Sequence, residues 1–238
     1  MEEGAMVARD PAVFELRLLG GFELRSGGRP QPVSASSQRL LSFLALNEGT
    51  HPRSFVAGSL WPDVTDQRAV GNLRATIWRT PSANDGLLSA SANNIGLAEG
   101  VATDYQRAIA LTRRVLHGED VQVHELQKEL LPGCVDEWVI RERERLRQIT
   151  LHAVEERCRR LVERGEPALA IDLSLAAAAA GPLRESAHRC LISAHLAEGN
   201  VGEAVQAYHS FCSRLWAALH LRPSPIMEAL MRPVLGAT

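Results

Sequence analysis

The stretch TDQRAVGNLRATIWRTP, residues 65–81, decides how the first half of the chain is read. Thr65 or Asp66 supplies an N-cap and Pro81 a stop, so the spacing predicts one helix between them. At about 100° per residue, Ala69, Val70, Leu73 and Ile77 fall on one face, an apolar stripe for a core. The opposite face carries Arg68, Asn72, Ala75 and Arg79, with Arg74 and Trp78 on its flank. Arginine pairs bidentately with guanine and asparagine with adenine in the major groove. Arg68, Asn72, Arg74, Thr76 and Arg79 are therefore the candidate DNA-contacting residues of this helix.

Working outward, the neighbours complete a recognisable order. Upstream, VFELRLLGGFELRSGGRPQPVS (residues 13–34) alternates apolar and polar residues around glycine pairs, the pattern of a two- or three-stranded antiparallel meander. SASSQRLLSFLALNEGTHP (34–52) reads as a serine-capped helix stopped by Asn47, Gly49 and Pro52. A short second helix fits Arg53 to Leu60, with Phe55, Val56 and Leu60 turned inward, and Trp61-Pro62 ends it. Downstream, LLSASANNIGLAEG (87–100) reads as a hairpin turning at Asn93-Asn94, because asparagine tolerates positive φ. Sheet, three helices, hairpin is the order of a winged helix-turn-helix. In that fold Arg39 and Arg53 are further candidate DNA-binding residues, the helix start at Ser34 to Gln38 can receive a phosphate, and Asn93 and Asn94 at the wing tip are placed to enter or skirt the minor groove.

From about Asp104 the pattern is helical to the end, broken at Pro132-Gly133, Gly165, Gly181-Pro182, Gly199 and Pro223. Three pairs share an offset of 34 residues: Gly165 and Gly199, Ala170 and Ala204, Ala153 and Ala187. Tyr208 and Phe211 follow Ala204 at helical spacing, while Ser174 stands where the second copy has Tyr208. This is the period of a tetratricopeptide-like array, in which each helix pair is buried by its neighbour. Trp138 and Trp216 are expected as core anchors of that array. The expected architecture is mainly α with a small β part. A tail (1–11) reads as disordered, a winged-helix domain covers 12–103, and an all-α repeat domain covers 104–238.

Composition narrows the function. The 238 residues are 45% hydrophobic and carry a formal net charge of −2, so any nucleic-acid surface is a local patch. Residues 29–80 supply one: Arg29, Arg39, Arg53, Arg68, Arg74 and Arg79 against Glu48, Asp63 and Asp66, six minus three, or +3. Lys128 is the sole lysine among 26 basic residues, an arginine and alanine bias expected of a GC-rich genome. Lys128 lies in HELQKEL, so no phosphate-binding P-loop is expected. Cys134, Cys158, Cys190 and Cys212 form no C-x-x-C pair, and His124-Glu125 lacks the second histidine of H-E-x-x-H, so no metal, cofactor or catalytic residue is expected. The start MEEGAMVARD is no secretory signal and no apolar run spans a bilayer, so the expected location is the cytoplasm, at the nucleoid.

Several stretches together resemble the SARP-type antibiotic regulatory activators, with an OmpR-type winged helix and a bacterial transcriptional activator domain. They are LRLLGGFEL (16–24), SSQRLLSFLAL (36–46), LWPD (60–63), NLRATIWR (72–79), LLPGCVDEWVIRERERLR (130–147), PLRESAHRCLISAHLAEGNVGEAVQAYHSF (182–211) and LRPSP (221–225). The resemblance covers roughly residues 13 to 235. It implies a non-enzymatic activator of a secondary-metabolite gene cluster. Such a protein binds promoter direct repeats near −35 as side-by-side protomers, a homodimer on DNA, and recruits RNA polymerase holoenzyme. By position, Trp61, Asp63, Val64 and Thr65 match the loop that faces the sigma subunit. Thr80-Pro81 departs from the pattern, ending the helix where relatives continue with Leu-Arg. Neither a receiver domain nor an ATPase domain is expected beside these two. The alternative is a helical-repeat adaptor whose winged helix binds protein instead of DNA; replacing Arg68, Asn72 and Arg79 separates the two readings.

Overall fold

The computed structural model describes residues 14–81, 86–121 and 128–236; the tail read at 1–11 lies outside them. The described residues divide into two compact units, one within residues 1–109 and 128–144, the other within residues 110–127 and 145–238. The expected boundary at 103/104 is therefore not where the units part: the segment around Cys134–Trp138 lies with the first.

In the first unit, β1 (Phe14–Arg17), β2 (Glu23–Ser26) and β3 (Arg29–Gln31) form the antiparallel meander. The two-residue β7 (Ala102–Thr103) adds to β1 in parallel, giving the order β3-β2-β1-β7. Phe14, Leu16, Leu18 and Leu24 are buried, as the alternation requires. Asp104, which opens helix α4 (Asp104–Leu116), accepts hydrogen bonds from the backbone N–H groups of Leu18 (2.8 Å) and Leu19 (3.0 Å). One carboxylate thus ties the end of β1 to the start of α4.

Helix α1 (Ala35–Leu46) is capped by Ser34, whose Oγ accepts from Ser37 N–H at 3.2 Å. It buries Leu40, Leu41, Phe43 and Leu44. Helix α2 (Arg53–Leu60) turns Val56 and Leu60 inward, but Phe55 is 51% exposed, a correction to its expected inward place. On an eight-residue helix Val56, Ala57 and Leu60 already fill the inner face, and Phe55 lies one position off it. Helix α3 (Asp66–Arg79) follows. The wing is a three-stranded sheet of order β4-β6-β5, from β4 (Thr50–Pro52), β5 (Leu88–Ala90) and β6 (Asn94–Leu97). β4 falls where the sequence shows only helix-stopping residues, and it pairs with β6 through Thr50–Gly96. A Cβ at Gly96 would lie 2.3 Å from the Gly49 carbonyl oxygen, so this approach demands glycine.

Residues 128–144 are bound into this unit. Leu130 bridges Leu19, and Leu131 N–H donates to the Leu18 carbonyl at 2.8 Å. Arg143 donates to the carbonyls of Leu130 (2.7 Å), Leu131 (2.5 Å) and Cys134 (3.0 Å). Trp138 packs edge-on against Phe43, centroids 5.2 Å apart. Trp138 thus anchors the first unit, not the helical array for which it was expected.

In the second unit, α5 (Glu137–Glu163, entering from the first), α6 (Pro167–Ala180), α7 (Glu185–Glu198), α8 (Val201–Leu219) and α9 (Pro225–Leu235) run in succession. α6 packs on α7, α7 on α8, and α8 on α9. The 34-residue offset carries structural meaning. Gly165 and Gly199 both take positive φ, at 77° and 86°, and Ala153, Ala187, Ala170 and Ala204 are all buried. Alanine at these positions lets helix axes approach closely. Ile192, Phe211, Leu215, Met227 and Met231 form the core of the last helices. His188 stacks on Phe211 at 4.6 Å. Trp216 is 56% exposed and lies against the His220 ring, which corrects its expected core role: Phe211 and Leu215 take the inward positions of α8. The array is braced by Arg184, which donates to the Glu155 carboxylate (2.5 Å) and to Gln148 Oε1 (2.6 Å).

Candidate nucleic-acid interface

Helix α3 buries Ala69, Leu73 and Thr76 and half-buries Val70, Asn72 and Ile77. Its outer arc exposes Gln67, Arg68, Gly71, Arg74, Ala75, Trp78 and Arg79. Thr76 is 0% exposed, which removes it from the contact face: it sits about 180° from Gln67 on the helix, level with the core stripe. Gly71 and Ala75 lie near the middle of the outer arc, with cationic side chains on both sides. Small residues there let a helix backbone come close to a surface, and the flanking arginines reach past it.

Among the described residues, no acid lies within ion-pairing distance of Arg68, Arg74 or Arg79, and no side-chain hydrogen bond holds them. The only acid of α3 is Asp66 in its first turn, where it suits the helix dipole. Three guanidinium groups therefore keep their full field over one helix face.

The other candidates are distributed differently. Arg39 does not project from the unit as a free cation. It forks onto Asp136, with Nε at 2.9 Å and Nη2 at 2.6 Å from carboxylate oxygens, and also donates to the Leu60 carbonyl. Its role in this structure is to clasp α1, the end of α2 and the start of α5, so it is not a free cation of the kind the sequence suggested. The pairing partner lies 97 residues away, so no local pattern announces it. Arg53 is half-buried and braces the wing: its Nε donates to the Ser91 carbonyl at 3.0 Å, and its backbone N–H to the Asn93 carbonyl at 2.8 Å. Asn93 and Asn94 are exposed at the wing tip. The turn is closed by Ser91 N–H to the Asn94 carbonyl (2.9 Å) and Asn94 N–H to Ser91 Oγ (3.0 Å). A hollow of about 780 Å³ lies between α3 and this tip, lined by Arg53, Ser54, Arg74 and Ser91 to Asn94 among others. In the loop between α2 and α3, Asp63 and Thr65 are exposed, while Trp61 and Val64 are half-buried.

The early stop of α3 has a structural reason. Thr80 is buried; its hydroxyl donates to the Thr76 carbonyl (2.9 Å) and is hydrogen-bonded to the Ser37 hydroxyl (3.0 Å). The last turn of α3 is thereby pinned to the first turn of α1. Sequence reading saw the stop at Thr80-Pro81 but not the anchor, because Ser37 lies 43 residues upstream.

The second unit holds a separate cleft of about 710 Å³ between α5 and α7, lined by His152, Glu155, Cys158, Arg159, Arg189 and Cys190 among others. Burial pushes the Cys158 thiol up to about 11 and the Cys190 thiol up to about 12, so both stay protonated and unreactive at neutral pH. Among the described residues no cluster of His, Cys, Asp and Glu is arranged to hold a metal, and no helix is long and apolar enough to cross a membrane.

Comparison with known proteins bears on this arrangement. Among curated proteins no sequence matches the chain. A solved structure titled "Mycobacterium tuberculosis EmbR in complex with low affinity phosphopeptide" shares the fold, with a TM-score of 0.72 at 20% identity over 94% of this chain. The chain spans 65% of the length of that protein. The fold shared over nearly the whole chain is a winged helix-turn-helix followed by a helical domain. The family described as the bacterial transcriptional activator domain matches residues 98–235, more than half of the sequence, and the chain belongs to that family of transcription regulators.

Proposed function

We propose that the protein is a sequence-specific DNA-binding activator that recruits RNA polymerase to promoters, by binding alone and without chemistry of its own. The observation that carries this reading is the outer arc of α3: Arg68, Arg74 and Arg79, unpaired, around Gly71 and Ala75. A helix of this diameter fits the major groove, where arginine reads guanine and Asn72 at the edge of the arc reads adenine. Asn93 and Asn94 on the wing reach the neighbouring minor groove, and Arg53 positions that wing and closes the gap toward the backbone. The loop of Trp61, Asp63, Val64 and Thr65 faces the polymerase sigma subunit. The helical unit, a tetratricopeptide-type array, holds two protomers side by side on direct repeats near −35. The regulated genes are those of a secondary-metabolite cluster, the role that the sequence resemblance implies.

The test is a fluorescence-anisotropy titration against promoter duplexes from the gene neighbourhood, at two salt concentrations, with an Arg68→Ala/Arg79→Ala variant alongside. Preference for one duplex over random DNA, lost in the variant, supports the reading. Equal, weak binding to every duplex at low salt sinks it and brings forward the adaptor that binds protein through the same helix.

A further inference from the structure

Trp78 is 87% exposed, the most exposed of the large hydrophobic side chains in the described residues. A tryptophan carries roughly 150–250 Å² of surface, and leaving it in water on a small domain calls for a reason. Its own unit has no use for it: Ala69, Leu73, Thr76 and the half-buried Ile77 already complete the inner face of α3. It is not covered by the wing either, since 87% exposure leaves the indole open to solvent.

Its position on the helix is informative. Trp78 lies about 20° from Gly71 and about 40° from Arg74 around the axis, inside the exposed arc that Arg68 and Arg79 close on the other side. The two smallest side chains of that arc, Gly71 and Ala75, lie one or two turns before it, so nothing on the helix holds the indole away from a surface that α3 approaches. No atom lies within 4 Å of a Cβ built at Gly71. The end of the helix that carries Trp78 is anchored, because Thr80 two residues later is hydrogen-bonded to Ser37 of α1. The indole is thus the one large apolar projection on a face whose longest other side chains are mostly cationic.

In the major groove one chemical group of the four base pairs is apolar, the C5-methyl of thymine, and contact with it is a recognised source of discrimination. From this juxtaposition we infer that Trp78 is a specificity-determining residue that packs its indole against a thymine methyl group at one position of each half-site. The inference rests on the DNA-binding reading of α3 above.

Duplexes are first selected from a random-sequence pool by the wild-type chain. Each thymine of a selected duplex is then replaced singly by deoxyuridine, which removes the methyl and leaves every hydrogen-bonding group in place. One position per half-site should weaken wild-type binding about 3- to 10-fold. Trp78→Ala should bind the parent duplex that much more weakly and be indifferent to the same replacement. Trp78→Phe should keep part of the sensitivity, and the urea midpoints of all three proteins should coincide. The inference is overturned if no replacement affects the wild type, or if Trp78→Ala responds to deoxyuridine as the wild type does. It is equally overturned if Trp78→Ala loses affinity uniformly for all duplexes, the mark of a sugar–phosphate contact. If the wild type enriches no duplex at all, it is the DNA-binding reading that fails, and this one with it.

Discussion

Helices α3 and α5 are both rich in arginine, and they use it in opposite ways. In α3, acid-free after Asp66, the three guanidinium groups stand unpaired on one face. In α5 the sequence interleaves glutamate with arginine at helical spacing. Arg141 meets Glu137, Arg159 meets Glu156 and Glu163, Arg160 meets Glu156, and Arg157 and the nearby Arg164 reach Asp120. Paired charges cancel at a distance and leave a solvated, structural surface. Unpaired charges of one sign on a narrow face produce a field that a polyanion senses. Arginine content says nothing by itself about nucleic acid; whether an acid lies within pairing distance, along the helix or across the fold, does.

Four variants probe the contrast. The largest effect belongs to the double variant Arg68→Ala/Arg79→Ala. It should cost roughly 2–6 kcal/mol of binding to a specific duplex and leave the urea midpoint where it was. Loss of stability instead of affinity would break the comparison. Next is Arg184→Ala, which leaves the largely buried Glu155 without its cation. Its exposure is 12% beside 18% for Arg184. It should destabilise the helical unit by roughly 3 kcal/mol, read from chemical unfolding, without a direct effect on DNA affinity.

Arg39→Ala removes the fork to Asp136, a pair about a quarter exposed. A loss of about 1–3 kcal/mol of stability is expected, with unchanged affinity and unchanged salt dependence in the folded protein. A shallower salt dependence would instead return Arg39 to the DNA-contact set. The smallest effect is on acid stability. The hydrogen bond from Arg159 to Glu156, ahead of the opposing desolvation, holds that carboxyl below its ordinary 4.5. Its folded pKa is thus depressed, so its contribution is present above about pH 4.5 and lost as pH falls through the lower folded value. Arg159→Ala should lower neutral-pH stability only slightly, as expected of an exposed pair, and flatten the acid limb of the stability curve by the same small amount. An unchanged acid limb would show that the pair contributes nothing measurable.

Much of the first unit was legible because its signals are local. The alternation in FELRL, the serine cap at Ser34, the limits of α2 and α3 and the asparagine wing turn each lie within a few residues of what they specify. The cationic face of α3 was legible for the same reason. Thr76 was misassigned because a threonine reads as polar whichever way it faces, and only the angular position beside Ala69 and Leu73 turns it inward. β4 and β7, three and two residues long, carry no periodicity to read. Their pairing exists only once β6 and β1 are in place.

By itself the sequence determined the order of elements, the 34-residue spacing of the helical array and the stretch that presents arginine outward, since propensity, capping and amphipathic period act between near neighbours. Tertiary structure decided which cations stay free. Arg39 is consumed by Asp136 and Arg53 by the wing backbone, 97 and 38 residues away, while Arg68, Arg74 and Arg79 meet no such partner among the described residues. It also decided that residues 128–144 belong with the winged helix and that Trp78 faces outward. Ion pairing and burial depend on what folding brings within a few ångströms, and at such sequence separations only the closed fold specifies that.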